Sequence, residues 1–408
     1  MRIDRKIAAS LLLLAALSGL APRGLAAALR GGEAERADDR AAAFAPLGER
    51  SSETDPAAEE AATDTAEVER PGETGGETSA PETPPAVSAR AAVLLGPGGE
   101  LLWERDARAR LPIASCTKLM TALVAAESCD LTEEVRIPPD CCGIEGSSME
   151  LRPGEHCSVR ELLCGLLLVS GNDAAQALAC HCAGSAEAFA RRMNDKAREL
   201  GLTDSCFVTP HGLPAEGQYG SAADLGRLML RCMEVPELSE ILGTCEIQIR
   251  DRALRNHLRL LWTLPGCLGG KTGYTRASGR CLVSCCEREG TRLVCVTLDD
   301  ADDWNDHAAL YDWGFAHYAR RDLTGELSWT LPVIGGTVAE TEARADALER
   351  FLPRDAELRF ETELPPFLFA PARAGEICGL VTVYRGEEEL GSAPIRLTED
   401  IPPRAAEQ

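Results

Sequence analysis

Clustered positive charge is what this 408-residue chain most lacks. Asp and Glu number 65 against 42 Lys and Arg, a formal net charge of -23, and no stretch gathers the basic side chains that a nucleic-acid backbone requires. No C-x-x-C spacing occurs among the seventeen cysteines, which removes zinc-finger and thioredoxin-type readings. Their odd number leaves at least one thiol unpaired in any disulfide scheme. Many sit at apolar positions where a free thiol packs as a small hydrophobe, so reduced core cysteines are expected. Long apolar runs are missing as well. The run from Ile7 to Leu20 is shorter than the roughly 18 to 20 residues of a bilayer span, Ser10, Ser18, Gly19 and Pro22 weaken it, and nothing later is longer.

The N-terminus does carry a pattern. Basic Arg2, Arg5 and Lys6 precede the apolar run, and small residues follow to Ala28, the arrangement of a secretory signal peptide at 1–28. An uncleaved N-terminal anchor is the alternative. Residues 29–87 are Glu, Asp, Ala, Thr, Pro and Gly with almost no large apolar side chain, so burial cannot offset chain entropy and a disordered acidic linker is expected. The remaining length suits about two domains, read as 88–320 and 321–408.

Within 88–320, Arg90 to Leu95 and Leu101 to Trp103 flank Gly96-Pro97-Gly98-Gly99 and predict a hairpin. Leu119, Met120, Leu123 and Val124 have helical spacing, which puts Ser115 in the first turn of a helix. Ser158 and Glu161 form a capping signature before Leu162 to Leu168. That helix breaks at Ser170-Gly171-Asn172, and another runs from Asp173 to about Cys182. Ser185 to Leu200 predicts a further helix closed by Gly201. Lys271 to Thr275, Arg280 to Cys286 and Thr291 to Leu298 read as strands. Strands at both ends and helices between predict an α+β fold, one antiparallel sheet covered by helices. Beyond Arg320 to Thr324, short apolar stretches alternate with Pro and Gly, and a small all-β domain is expected.

Three islands carry chemistry: Ser115-Cys116-Thr117-Lys118, Ser170-Gly171-Asn172 and Gly270-Lys271-Thr272-Gly273. Ser115 and Lys118 lie one helical turn apart, so an amine can reach a hydroxyl and serve as its base. Burial and the like charge of Lys271 would both favour the neutral amine. Ser170 can pass a proton to a departing amine, and Asn172 can hold an amide. Lys271 and Thr272 offer a cation and a hydroxyl to a carboxylate. Gly269, Gly270 and Gly273 would let an extended substrate approach the strand. The backbone N–H groups of Ser115 and Tyr274 are the candidate oxyanion donors. A phosphate loop is excluded, because Pro265 stands where its first glycine is required and a strand follows. His211 and His257 are read as hydrogen-bonding histidines of loop or core, not members of a triad. Cys116 is read as a packing residue.

Together with L-P-I-A-S-C-T-K-L-M-T-A-L, G-S-S-M-E-L-R-P-G-E, L-L-V-S-G-N-D-A-A, F-V-T-P-H-G-L and G-G-K-T-G-Y-T-R-A-S-G-R, these islands make the chain from about Arg90 to Ala319 resemble the serine-type D-alanyl-D-alanine carboxypeptidases, the low-molecular-weight penicillin-binding proteins of peptidase family S11. The resemblance implies a β-lactamase/penicillin-binding-protein-like fold with a small β-rich C-terminal domain. It implies Ser115 as acylated nucleophile, Lys118 as general base and Ser170 as proton relay. Asn172, Lys271, Thr272 and Gly273 would bind substrate. The implied substrate is the peptidoglycan pentapeptide, with β-lactams as covalent inhibitors, no cofactor or metal, and action outside the cytoplasm in cell-wall maturation. Three departures stand out. The chain stops at I-P-P-R-A-A-E-Q where relatives often carry an amphipathic membrane-binding helix, so attachment is expected to be N-terminal or absent. Gln218-Tyr219 replaces a histidine-tyrosine pair, and the acidic linker is unusual. A serine β-lactamase shares the first and third islands, but no Glu between Glu199 and Glu216 has the E-x-x-x-N setting of a deacylating base. A non-catalytic cell-wall binding protein is the other alternative, and the presence of every island residue argues against it.

Overall fold

The computed structural model describes residues 83–405, so the signal-peptide reading of 1–28 and nearly all of the 29–87 linker lie outside the described residues. Gly96 and Gly99 turn the chain between β1 (Ala91–Leu95) and β2 (Leu101–Arg105), Gly99 with φ +85°. After the helices come β3 (Cys267–Thr275), β4 (Gly279–Arg288) and β5 (Thr291–Leu298). All five form one antiparallel sheet in the order β2-β1-β5-β4-β3, which leaves β3 at an edge.

Side-chain alternation splits the interior into two cores. Ala91, Val93 and Leu95 of β1, Val283 of β4 and Val296 of β5 pack toward α1 (Lys118–Ser128), α2 (Val159–Leu168), α3 (Asn172–Ala183), α4 (Ala186–Glu199), α5 (Ala222–Glu234) and α6 (Pro236–Leu242). Ala92, Leu94, Leu282 and Leu293 face the other way, onto Leu310, Tyr311 and Trp313 of α7 (Asp303–His317). The sheet is thus a middle layer, and strand residues are buried on both faces. The capping signature is present: Ser158 Oγ accepts from Glu161 N at 3.1 Å while Ser158 N donates to Glu161 Oε2 at 2.8 Å.

One expectation about Ser115 needs correcting. It lies ahead of α1, in a 3-10 turn formed by Ala114–Thr117, and α1 begins at Lys118. Ala114 has φ +43°, a conformation an α-helix cannot propagate. A 3-10 turn has three residues per turn and eclipses positions i and i+3, so it stacks Lys118 over Ser115 more directly than an α-helix would.

After α7, β6 (Tyr318–Asp322) runs across residue 320 and pairs with β9 (Glu349–Pro353). The rest is all-β: β7 (Ser328–Ile334), β8 (Glu340–Ala345), β10 (Arg359–Glu363), β11 (Leu368–Phe369), β12 (Ile377–Arg385) and β13 (Glu388–Leu397). These form a six-stranded sheet in the order β10-β12-β13-β8-β7-β11. Its core is separate and includes Val381, Val383, Ala393 and Ile395. No helix among the described residues is long and apolar enough to cross a membrane.

Candidate active site

The first two islands meet where α1 and α3 begin. Lys118 is fully buried and its Nζ lies 2.8 Å from Ser115 Oγ, 3.3 Å from Ser170 Oγ, 2.7 Å from Asn172 Oδ1 and 2.9 Å from the His211 carbonyl oxygen. Asn172 Nδ2 donates to the Glu145 carbonyl at 2.5 Å, which fixes the amide with its oxygen toward the lysine. Ser170 is buried with φ +60°, so the break between α2 and α3 holds a serine in a conformation usually left to glycine or asparagine.

The neighbouring Asp173 anchors the site from beneath. It is fully buried and its carboxylate accepts from Ser148 Oγ at 2.6 Å and from the backbone N–H groups of Met149, Leu151 and Ala174 at 3.0, 3.0 and 2.9 Å. Asn172 N donates to the Ser147 carbonyl at 2.7 Å. Residues 145–151 are thereby fastened to the start of α3 along one wall of the site.

The third island arrives on β3, which packs against the 3-10 turn. A Cβ placed on Gly273 would sit 3.1 Å from both Ser115 N and the Ile113 carbonyl oxygen, so any side chain there would crowd the Ser115 N–H. Lys271 is buried, shares its register row with Val283 on the helix-facing side, and donates from Nζ to the Thr272 carbonyl at 2.7 Å. Thr272 and Tyr274 flank Gly273 and are half-buried; their place near the serine rests on the path of the strand. The expectation that Gly269 and Gly270 open the strand to substrate is not met. A Cβ on Gly269 would strike the Leu242 backbone at 2.8 Å, and one on Gly270 the Val283 carbonyl oxygen at 2.2 Å, so both serve internal packing.

Some contributors were not legible as side chains. The His211 carbonyl reaches Lys118, and Gly212 at φ +89° lets that loop press on the turn. The His211 ring is held neutral, its pKa lowered to about 4 by burial and then by the adjacent Lys118. Its Nδ1 accepts from Leu213 N at 3.2 Å. His257 contributes its backbone, with N donating to the Leu168 carbonyl at 3.0 Å. Cys116 is sealed beneath the turn, its Sγ 3.7 Å from the Lys271 carbonyl oxygen, and burial pushes the thiol well above its ordinary value. No cluster of metal-ligating side chains occurs among the described residues.

A serine stacked on a buried amine, with a second serine and an amide beside it and an edge strand alongside, belongs to a class of enzyme that transfers acyl groups without histidine. Residues 77–302 match the D-alanyl-D-alanine carboxypeptidase family, peptidase S11, and the chain belongs to that family. It is 30% identical over 336 residues to D-alanyl-D-alanine carboxypeptidase DacF of Bacillus subtilis, covering 78% of this chain and 86% of that protein. It is 32% identical over 343 residues to DacC of Escherichia coli, with 78% and 85% covered. Among solved structures, penicillin binding protein 5 of Haemophilus influenzae superposes with a TM-score of 0.62 at 28% identity, over 78% of this chain and 99% of that one. Penicillin binding protein 6B of Escherichia coli gives 0.64 at 25% identity, over 77% and 96%.

Proposed function

We propose that this enzyme, a serine-type D-alanyl-D-alanine carboxypeptidase, removes the terminal D-alanine of peptidoglycan pentapeptides through an ester on Ser115. The observation that carries the assignment of roles is the contact of Lys118 Nζ with Ser115 Oγ beside two oxygens, Asn172 Oδ1 and the His211 carbonyl, that can only accept. A neutral amine has two N–H groups for them and one lone pair left, and that lone pair can receive the Ser115 hydroxyl proton at 2.8 Å. Burial favours that neutral form.

In the first step Ser115 Oγ attacks the carbonyl carbon of the penultimate D-alanine while its proton passes to Lys118. The oxyanion is held by the N–H groups of Ser115 and Tyr274. As the C–N bond breaks, Ser170 relays the proton from Lys118 to the departing amine. Lys271 and Thr272 hold the terminal carboxylate, and Asn172 steadies the peptide. Water then attacks the ester, Lys118 again taking the proton, and Ser115 is regenerated. β-Lactams enter the first step and stop at the ester.

A synthetic peptide ending in D-Ala-D-Ala tests the reading. Release of D-alanine and covalent labelling by a fluorescent penicillin are both expected, and both should vanish in Ser115→Ala; labelling that survives removes Ser115 as nucleophile. A long-lived ester with benzylpenicillin is expected, whereas rapid multiple turnover would make the chain a β-lactamase. Labelling without any D-alanine release would favour a cell-wall binding protein. Export through residues 1–28, with action outside the cytoplasm, is part of the same proposal. N-terminal sequencing of the mature chain checks it, a start near residue 29 being expected.

A further inference from the structure

Away from the chemistry, Cys129 caps the C-terminal end of α1 and Cys182 lies in the last turn of α3. Their Sγ atoms are 2.8 Å apart, about 0.8 Å beyond a covalent S–S bond. Both thiols are partly exposed, unlike Cys116, Cys232, Cys281, Cys285 and Cys295, which are sealed in the core. We propose that Cys129 and Cys182 form a disulfide that clamps α1 to α3 when the chain meets a small-molecule disulfide such as cystine or oxidised glutathione.

The two sulfurs touch, so either can open the exchange and the other close it, and the steps are the same in both orders. With Cys129 first, its thiolate breaks the S–S bond of the small disulfide and releases one half as a thiol. Cys182 then gives up its proton and displaces the second half from Cys129. Two electrons and two protons leave the protein, and two small thiols are formed. Cys180 cannot substitute for Cys182, since two residues along a helix it points to a different side, where Cys141 is its neighbour.

The clamp sits at a telling place. α1 begins with Lys118 and α3 with Asn172, and those two side chains meet at 2.7 Å. Oxidation would join the same two helices covalently at their opposite ends, so that relative sliding, which would part the lysine from the amide, is opposed at both. This goes beyond the proposed reaction, and bond formation is read out without reference to activity.

The test uses the full chain, incubated with oxidised glutathione, alkylated, and digested for peptide mapping. A peptide pair joined through Cys129 and Cys182 is expected, with an intact mass lower by two hydrogens and reversal by dithiothreitol. Tm should rise by roughly 5 °C or more on oxidation, and Cys129→Ser should lose both the crosslink and the rise. Should Cys129→Ser fold poorly, Cys182→Ser serves, with the same expectation. The proposal is overturned if both positions remain alkylated, if glutathione stays attached to Cys129 without closure, or if the bond maps to Cys141 and Cys180. A chain that crosslinks on oxidation but releases no D-alanine even when fully reduced would sink the proposed reaction and leave the clamp standing.

Discussion

Gly212 and Ala114 stand so close that a Cβ on the glycine would fall 2.0 Å from the alanine carbonyl oxygen. Both have positive φ, +89° and +43°. The loop that delivers the His211 carbonyl to Lys118 therefore presses directly on the turn that presents Ser115. Gly212→Ala should displace that turn while the two cores stay intact. The expected result is penicillin acylation slowed by about 100-fold with a far-UV spectrum like that of the parent. Unchanged acylation would show that the turn yields without moving Ser115.

Replacement of Lys118 separates a base from a mere positive charge. Lys118→Ala removes the amine, and Lys118→Arg keeps a charge that does not dissociate at neutral pH. If the lysine acts by taking the Ser115 proton, both variants should acylate at least about 100-fold more slowly. An arginine variant that retains most of the rate would show that charge alone suffices. Stopped-flow labelling with a fluorescent penicillin measures both.

Asp173→Asn tests the wall of the site. The carboxylate accepts from the Ser148 hydroxyl and from three backbone N–H groups, and an amide would turn an NH2 toward at least one of those donors. Leaving a buried N–H unsatisfied costs about 1–3 kcal/mol, so Tm should fall by several degrees. Because Asn172 is fastened to the same loop through Ser147 and Glu145, kcat/KM for the D-Ala-D-Ala peptide should drop as well. A lowered Tm with kcat/KM unchanged would confine Asp173 to structural support.

The hairpin, the helix after Ser158 and the three late strands were legible because each has a local cause: a glycine turn, a capping box, an alternating apolar run. That Ser115, Lys118, Ser170 and Asn172 come together was legible for a related reason, since each offers a polar side chain at a short fixed spacing. The 3-10 turn at Ala114–Thr117 was not, because the spacing of Leu119, Met120, Leu123 and Val124 describes the helix and is silent on how the chain enters it. Helix α7 was also missed. Its Asp, Asn and His residues interrupt the apolar pattern, and several of those polar side chains turn inward, Asp303, Asp306 and His307 all being buried. Gly269 and Gly270 were credited to substrate because a glycine's reason is set by what lies across from it, here Leu242 and Val283, and sequence does not name that neighbour. The carbonyls of His211 and Glu145 carry no residue-type signal at all.

His307 links the fold to pH. It is fully buried between the sheet and α7, with Nδ1 2.7 Å from Ser284 Oγ and Nε2 3.2 Å from Thr297 Oγ1. Burial lowers its pKa to about 3, against a smaller opposing pull from Asp300. A histidine whose folded pKa is depressed contributes stability that is present above its unfolded pKa of about 6.5 and lost as pH falls toward the folded value. The unfolded chain takes up a proton first, so the loss begins near pH 6.5 and reaches about 2 kcal/mol at pH 5. His307→Asn keeps a donor and an acceptor for the two hydroxyls but has nothing to titrate. Unfolding free energies from urea titrations at pH 7 and pH 5 should therefore decline less in the variant, by about 2 kcal/mol. Carboxylates that burial raises, such as Asp303, change stability in the opposite sense, and His211, lowered to about 4, in the same sense. Both are common to the two proteins and drop out of the difference. Equal declines would mean that His307 is protonated in the folded chain, with Ser284 and Thr297 both accepting from it.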